Sequence, residues 1–167
     1  MTISTEAGRL HLLIATFFGA GFSPVAPGTV GSLAALPLAF VLLHMDMPSA
    51  SLVVIALFFT GLWSSNHLER VSGQHDAQII VIDEVVGICL SSLLLSWWLP
   101  AAVGLDVVLL LSFLSFRLFD VLKPWPIGWL DRSIGGGFGV MVDDVVAAIM
   151  GVLMVAVGYA ILPQLVI

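Results

Sequence analysis

Long apolar segments constrain the fold of this chain more than any other feature of its sequence. Apolar windows cover residues 10–20, 31–45, 51–65, 84–116 and 145–162. A helix needs ~20 apolar residues to cross a bilayer. The fourth window is too long for one such span. Pro100, Gly104 and Asp106 divide it into helices near 84–99 and 106–119. The first window is short and typical of an interfacial helix. We therefore expect an all-α integral membrane bundle of about five spanning helices, preceded by a short N-terminal interfacial or re-entrant helix.

The small share of charged residues supports this assignment. Hydrophobic residues make up 60% of the 167-residue chain and charged residues 10%, whereas charged residues are roughly a quarter of a typical soluble domain. Tight oligomerisation is the alternative way to hide so much apolar surface, and the sequence does not give the oligomeric state. The length suits a single domain over residues 1–167. The net charge of −6 gives no reason to expect a nucleic-acid partner.

The positions of the basic residues predict the orientation of the bundle. Arg9 precedes the first helix, Arg70 lies in a polar loop at 64–78, and the other three lie at or in a long loop at 117–142. With five spans, every basic residue falls on one side of the membrane, which the positive-inside rule assigns to the cytoplasm. No basic stretch with a cleavage site precedes the first apolar segment, so we expect no removed signal peptide.

Two pairs of adjacent acids stand at the edges of apolar segments: Asp83-Glu84 in "IIVIDEVVGICL" and Asp143-Asp144 in "GVMVDDVVAAIM". Each pair is predicted to open a spanning helix, where the helix dipole and free N–H groups favour a carboxylate. Capping explains one acid of each pair but not the second, because successive helical residues point about 100° apart. Four carboxylates facing each other are unfavourable unless a cation lies between them. Since Mg²⁺ prefers carboxylate oxygens and often holds a phosphate, we expect Asp83, Glu84, Asp143 and Asp144 to bind Mg²⁺.

A group of opposite charge lies in the long loop. Arg117, Lys123 and Arg132 are interleaved with Asp120 and Asp131. Arg117 and Asp120 are three residues apart, which places both on one helix face. Membrane anchoring and local ion pairs explain each of these residues taken singly. Beside an acidic metal site, the group is better suited to binding a phosphate, through bidentate hydrogen bonds from arginine and the point charge of lysine.

Two glycine-rich stretches offer backbone N–H groups to an anion. In "SPVAPGTVGS" at 23–32, Pro27-Gly28 fits a type II turn. Thr29 or Ser32 either caps the helix that follows or lies at an anion site formed by its N-terminus. In "GGGFG" at 135–139, Gly136 either turns N–H groups toward an anion or belongs to a hinge or linker.

Other residues have plainer expected roles. The stretch "KPWPIGW" at 123–129 predicts an extended, proline-stiffened path, with Trp125 and Trp129 in the lipid headgroup layer. Cys89, the single cysteine, lies in an apolar run and is expected to act as a small hydrophobe. His75-Asp76 either orients a ligand or water near the first acid pair or belongs to a solvated loop, which is the more frequent outcome.

Three stretches together resemble the phosphatidylglycerophosphatase A family: "SPVAPGTVGSLAALP", "HDAQIIVIDEVVG" and "FRLFDVLKPWPIGWLDRSIGGGFGVMVDDVVA". The resemblance runs in ordered spacing from Gly21 to about Gly151. It implies an all-helical, Mg²⁺-dependent lipid phosphatase of the bacterial inner membrane. The implied reaction converts phosphatidylglycerophosphate and water into phosphatidylglycerol and inorganic phosphate.

These observations combine into one hypothesis about the site. Mg²⁺ held by the acid pairs binds the terminal phosphate of a lipid headgroup at the cytoplasmic face, and the basic residues of the long loop neutralise its remaining oxygens. The attacking group is a water activated by the metal or by a carboxylate, or else an aspartate that forms a phosphoenzyme. The expected catalytic residues are Asp83, Asp120, Asp143, Asp144, Arg117 and Lys123. The expected substrate-binding residues are Thr29, Ser32, Arg132 and Gly136.

Two other functional classes compete with a phosphatase. A small transporter or channel would also bind a cation at membrane carboxylates. It would place acids deep in the spans, however, and the interiors 31–45, 85–99 and 145–162 carry no acidic or basic residue except the terminal His44. A non-enzymatic membrane scaffold gives no reason for paired acids opposite a basic, glycine-rich loop. The expected partners are therefore a phospholipid substrate and the membrane.

Overall fold

The computed structural model describes residues 6–73 and 77–165, with side chains described over 8–73 and 77–161. These residues form helices α1 to α7 and one short 3₁₀ turn at Ala20–Phe22, and no strand occurs among them. The helices are α1 Glu6–Ala15, α2 Pro27–Leu42, α3 Met47–Ser72, α4 Ile82–Trp98, α5 Leu105–Leu122, α6 Ile127–Ser133 and α7 Gly136–Leu165. The all-α prediction is confirmed.

Two of the described helices are long and apolar enough to cross a membrane. They are α3, over Met47–Ser72, and α7, over Gly136–Ile161. The other three candidates are shorter or more charged: α2 has 16 residues, α4 has 17, and α5 carries Asp106, Arg117 and Asp120 within its 18. By length and hydropathy, two described helices qualify as membrane spans, and the count of five spans stays a prediction.

Two helices extend further than the sequence predicts. The polar stretch 64–72, expected in a loop, forms the last turns of α3, which end where Gly73 adopts the left-handed region at φ 69°. Helix α7 begins nine residues before the predicted 145, because the Gly137 N–H donates to the Asn66 side-chain oxygen (3.0 Å) and docks this turn on α3. The predicted loop 117–142 thus holds the end of α5, all of α6 and the start of α7.

Helix α4 lies at the centre of the bundle and packs against α2, α3, α5 and α7. Small residues allow this close approach, as they commonly do between membrane helices. A Cβ at Gly87 would overlap the ring of Phe116, and one at Gly61 would lie 2.9 Å from the Met141 methyl group. Cys89 is buried among apolar side chains, as expected. This packing brings the first turns of α2 and α4, the last turns of α5 and the early turns of α7 to one end of the bundle.

The first helix packs mainly along α3, and its last residue, Ala15, is buried in the core and accepts a hydrogen bond from the Val81 N–H at 2.8 Å. His11 is buried and stacks on His67, with ring centroids 3.8 Å apart, and its ring also contacts Trp63. The chain then turns through Phe17 and Phe18, both with positive φ. With only 10 residues, α1 is shorter than a spanning helix.

Candidate functional site

A polar cavity of ≈ 430 Å³ opens at the end of the bundle where α2, α4 and α7 begin and α5 ends. Five carboxylates and two cationic side chains line it: Asp83, Glu84, Asp120, Asp143, Asp144, Arg117 and Lys123. All seven are candidates that the sequence nominates, and they come from α4, α5, the residue that follows α5, and α7. The remaining lining residues include Ala26, Pro27 and Gly28 at the start of α2.

Three of the carboxylates converge on one point. Asp83, Glu84 and Asp144 each offer an oxygen, and these oxygens all lie within 4.8 Å of one another. Asp83 Oδ1, Glu84 Oε2 and Asp144 Oδ2 are buried without a hydrogen-bond partner among the described residues. Burying unpaired carboxylates is costly, whereas oxygen donors in this number suit a hard divalent cation. The three side chains could therefore hold a metal ion.

The fourth acid of the two pairs has a different partner. Asp143 Oδ2 accepts a hydrogen bond from Lys123 Nζ at 2.8 Å, and the same ammonium donates to Asp131 Oδ1 at 2.6 Å. Burial alone would lower the pKa of Lys123, but the bonds to Asp131 and Asp143 outweigh it and raise that pKa above its ordinary value. Asp143 Oδ1 remains buried without a partner among the described residues. Asp143 thus lies beside the three-carboxylate group and links it to the ammonium group of Lys123.

The guanidinium of Arg117 connects three helices. Its Nη1 pairs with Asp120 one turn along α5, as the i, i+3 spacing predicts, and lies 3.7 Å from Glu84 Oε1 on α4. Its Nη2 donates to Thr29 Oγ1 on α2 at 3.4 Å. Only 16% of its side chain is exposed. Arg117 therefore points into the cavity from a fixed position, with Asp120 as its main anchor.

The start of α2 differs from the prediction. Pro27 and Gly28 are its first two helical residues and do not form a type II turn. The N-cap residue, Ala26, has left-handed φ and ψ and makes no side-chain capping bond. Ser32 does not cap the helix either, because it is buried and its hydroxyl donates to the Gly28 carbonyl at 2.8 Å. The capping interpretation of Ser32 is wrong, and Thr29 reaches the site through Arg117.

Gly28 lies in direct contact with the site. A Cβ built on it would overlap Glu84 Oε1 and lie 3.3 Å from Arg117 Nη1. Any larger residue would push the Glu84 carboxylate out of its place between α2 and Arg117. The sequence predicts only a turn at Gly28, and no local pattern indicates this contact.

The four predicted substrate-binding residues all lie outside the cavity lining; they are Thr29, Ser32, Arg132 and Gly136. Arg132 is exposed in the last turn of α6, and Gly136 opens α7 with φ 77°. Helix α7 starts within the glycine run 135–139. The N–H of Gly137, the residue after Gly136, donates to the Asn66 side-chain oxygen on α3. The extended path expected at 123–129 is also wrong, because the chain turns and enters α6 at Ile127.

The two acid pairs occupy different positions on their helices. Asp83 and Glu84 lie in the first turn of α4, as predicted. Asp143 and Asp144 are the eighth and ninth residues of α7, too far along to cap its N-terminus, so the prediction that they open the helix is wrong. His75-Asp76 lies outside the described residues.

Comparisons with known proteins extend these observations. The family model of phosphatidylglycerophosphatase A matches residues 13–159. A protein of Escherichia coli K12 named phosphatidylglycerophosphatase A is 39% identical over 140 residues, which cover 83% of this chain and 77% of that protein. A protein of Haemophilus influenzae Rd, also named phosphatidylglycerophosphatase A, is 42% identical over 151 residues, which cover 87% of this chain and 86% of that protein. A Bacteroides thetaiotaomicron protein named "Putative phosphatidylinositol-3-phosphatase" is 35% identical over 159 residues, which cover 89% of this chain and 92% of that protein. No solved structure matches the chain.

Proposed function

The chain belongs to the phosphatidylglycerophosphatase A family, and from that membership we propose that it hydrolyses phosphatidylglycerophosphate to phosphatidylglycerol and inorganic phosphate. One observation links the proposal to particular residues: three converging carboxylates share a cavity with a guanidinium and an ammonium group. A phosphate monoester needs cationic donors for its oxygens. Arg117 and Lys123 are the two such groups that line the cavity.

The carboxylates fit a divalent cation, and Mg²⁺ is the proposed cofactor. Asp83, Glu84 and Asp144 would hold it, since each has a buried oxygen without a partner among the described residues. Asp143 completes the proposed ligand set through Oδ1, which has no hydrogen-bond partner among the described residues. When bound, the ion supplies positive charge that polarises the phosphoryl group and offsets the crowded carboxylates.

The chain's own residues position the phosphate and neutralise its negative charge. Arg117, anchored by Asp120, and Lys123, anchored by Asp143, donate to the non-reacting oxygens. A water oxygen bonds to phosphorus as the bond between phosphorus and the glycerol oxygen breaks. One water proton passes to a cavity carboxylate, and the departing oxygen takes up a proton at the open mouth. In the alternative, a carboxylate of this cluster attacks first and water then hydrolyses the aspartyl-phosphate.

The proposed place of the reaction is the cytoplasmic face of the bacterial inner membrane. Helices α2, α3, α4, α5 and α7 are the proposed spans of a single multi-pass domain. Arg117, Lys123 and Arg132 lie at the cavity end, and so does Arg70 in the last turn of α3. The turns at the opposite end, 43–46 and 99–104, contain no lysine or arginine. In this orientation the acyl chains of the substrate stay in the bilayer while its headgroup enters the cavity, and Trp125 and Trp129, both exposed, lie at headgroup level.

A phosphoinositide is the second candidate substrate. The relative from Bacteroides covers the chain as fully as the two phosphatidylglycerophosphatases do, at somewhat lower identity. Both substrates present a phosphate monoester on a headgroup derived from a polyol, so the seven charged residues of the cavity suit either one.

Phosphate release from defined lipids tests the function. Purified full-length protein in detergent is given phosphatidylglycerophosphate or phosphatidylinositol 3-phosphate, with Mg²⁺ or with a chelator. We expect release from the first lipid only when Mg²⁺ is present, and loss of release in Asp83→Asn. Release from the inositol lipid alone would assign the other substrate. No release from either, by a protein that stays folded, would contradict the phosphatase assignment and favour a cation transporter or channel.

A further inference from the structure

Lys123, the only lysine in the chain, is held at several points. It ends α5 in the left-handed region at φ 42°, with its N–H bonded to the Phe119 carbonyl at 2.8 Å. A Cβ at Gly128 would lie 2.6 Å from the Lys123 carbonyl oxygen, so α6 packs directly against this residue. The left-handed conformation is costly for a residue with a side chain and persists only where its surroundings fix it. The backbone of Lys123 is therefore determined by tertiary structure.

The ammonium group is anchored from two sides. Asp143 lies on the interior side with 5% of its side chain exposed, and Asp131, on α6, lies on the outer side with 33% exposed. Both bonds are short and charge-assisted, at 2.8 Å and 2.6 Å. An ammonium has three donors, so two are committed and the third remains for the cavity that Lys123 lines.

Asp131 is not among the described residues that line the cavity. A lysine side chain has four rotatable bonds and a mobile charge. With the interior anchor alone, that charge would be drawn toward the carboxylate cluster. A second anchor on the solvent side opposes this movement. Resting on the function proposed above, we propose that Asp131 is a positioning residue, which holds the Lys123 ammonium at the cavity mouth where a phosphate oxygen can meet its third donor.

The first test reads the position of Lys123 without any phosphatase assay. Because Lys123 is the only lysine, an amine-reactive ester modifies one side chain, which mass spectrometry separates from the N-terminal amine. In Asp131→Ala, we expect the labelling rate of Lys123 to fall at least about threefold, because the ammonium moves inward toward the carboxylate cluster, where the reagent has less access to it. Asp131→Glu should keep a rate close to that of the wild type. Asp106→Ala, which removes an exposed acid at the other end of α5, is the matched control and should leave the rate unchanged.

The second test asks whether Asp131 acts through Lys123. We expect Asp131→Ala to lower kcat/KM about tenfold, Asp131→Glu to restore most of it, and Asp106→Ala to leave it unchanged. In a Lys123→Ala background, the further change Asp131→Ala should have no effect, because coupled residues are not additive. Equal losses from Asp131→Ala in both backgrounds, or an unchanged or higher labelling rate, would overturn the proposal. If the wild type releases no phosphate, the proposed function fails, while the labelling result still decides the position of Lys123.

Discussion

Asp83 on α4 and Asp144 on α7 place carboxylate oxygens within 4.8 Å of each other, together with an oxygen of Glu84. Both aspartates are almost fully buried, at 8% and 3% exposure. Two ionised carboxylates at this distance repel each other strongly in a poorly solvated site. Their approach is accordingly the feature that most directly favours a bound cation.

Removing either aspartate should abolish Mg²⁺-dependent catalysis. We expect Asp83→Asn and Asp144→Asn each to lower phosphate release at least about 100-fold, as the loss of a metal ligand does. Mg²⁺ should raise the Tm of the wild type, because it binds only the folded state, and this rise should disappear in both variants. Without Mg²⁺, the variants should be at least as stable as the wild type, since one crowded charge is gone. Full activity in either variant would remove that residue from the metal site.

Arg117 should not be replaceable by lysine. The guanidinium reaches Asp120, Glu84 and Thr29 at once, and an ammonium cannot reproduce this planar arrangement of donors. We expect Arg117→Lys to lower kcat/KM roughly 10- to 100-fold, measured by phosphate release at several lipid concentrations. Arg70→Lys, an exposed residue near the end of α3, is the control and should behave as the wild type. An Arg117→Lys enzyme with normal kinetics would show that charge alone suffices at this position.

A single methyl group at Gly28 should disturb the metal site. The added Cβ would overlap the Glu84 carboxylate, so we expect Gly28→Ala to require at least tenfold more Mg²⁺ for half-maximal activity. Gly158→Ala is the matched control, because a Cβ there meets nothing within 4 Å and alanine favours a helix by about 1 kcal/mol. An unchanged Mg²⁺ requirement in Gly28→Ala would mean that Glu84 moves aside without cost.

The orientation of the bundle can be tested by thiol labelling in spheroplasts. Cys89 is buried and is the only cysteine, so Cys89→Ala gives a clean background for Trp125→Cys at the cavity end and Ala101→Cys at the opposite end. With the cavity in the cytoplasm, a membrane-impermeant maleimide should label the cysteine at 101 in intact spheroplasts. It should label the one at 125 only after lysis. The reverse pattern would contradict the proposed cytoplasmic face.

Local sequence predicted the parts of the site that depend on spacing along one helix. The Arg117–Asp120 pair follows from the i, i+3 rule, and Asp83 with Glu84 lies in the first turn of α4 as expected. The expectation that all four acids converge holds for three of them. The fourth is paired with Lys123 across the bundle, and no spacing rule specifies that contact.

The remaining errors come from tertiary contacts that override local propensity. Glycine lowers helix propensity, so the run at 135–139 predicts a loop, yet docking on Asn66 brings Gly137 into α7. The role of Gly28 follows from the position of Glu84 on another helix, and Asp131 reaches Lys123 from α6. Such contacts cannot be read from a single sequence, because both partners must first be placed in space.

The early start of α7 also determines how the cavity is approached. Seven residues precede Asp143 on this helix, so about 10 Å of α7 extends beyond the level of that acid, and α6 packs against α7. The start of α2 also borders the cavity, where a Cβ on Gly28 would overlap the Glu84 carboxylate. Under the proposed function, a lipid headgroup would therefore enter the cavity between segment 24–28 and the turn of α7 that holds Val140, both of which line it.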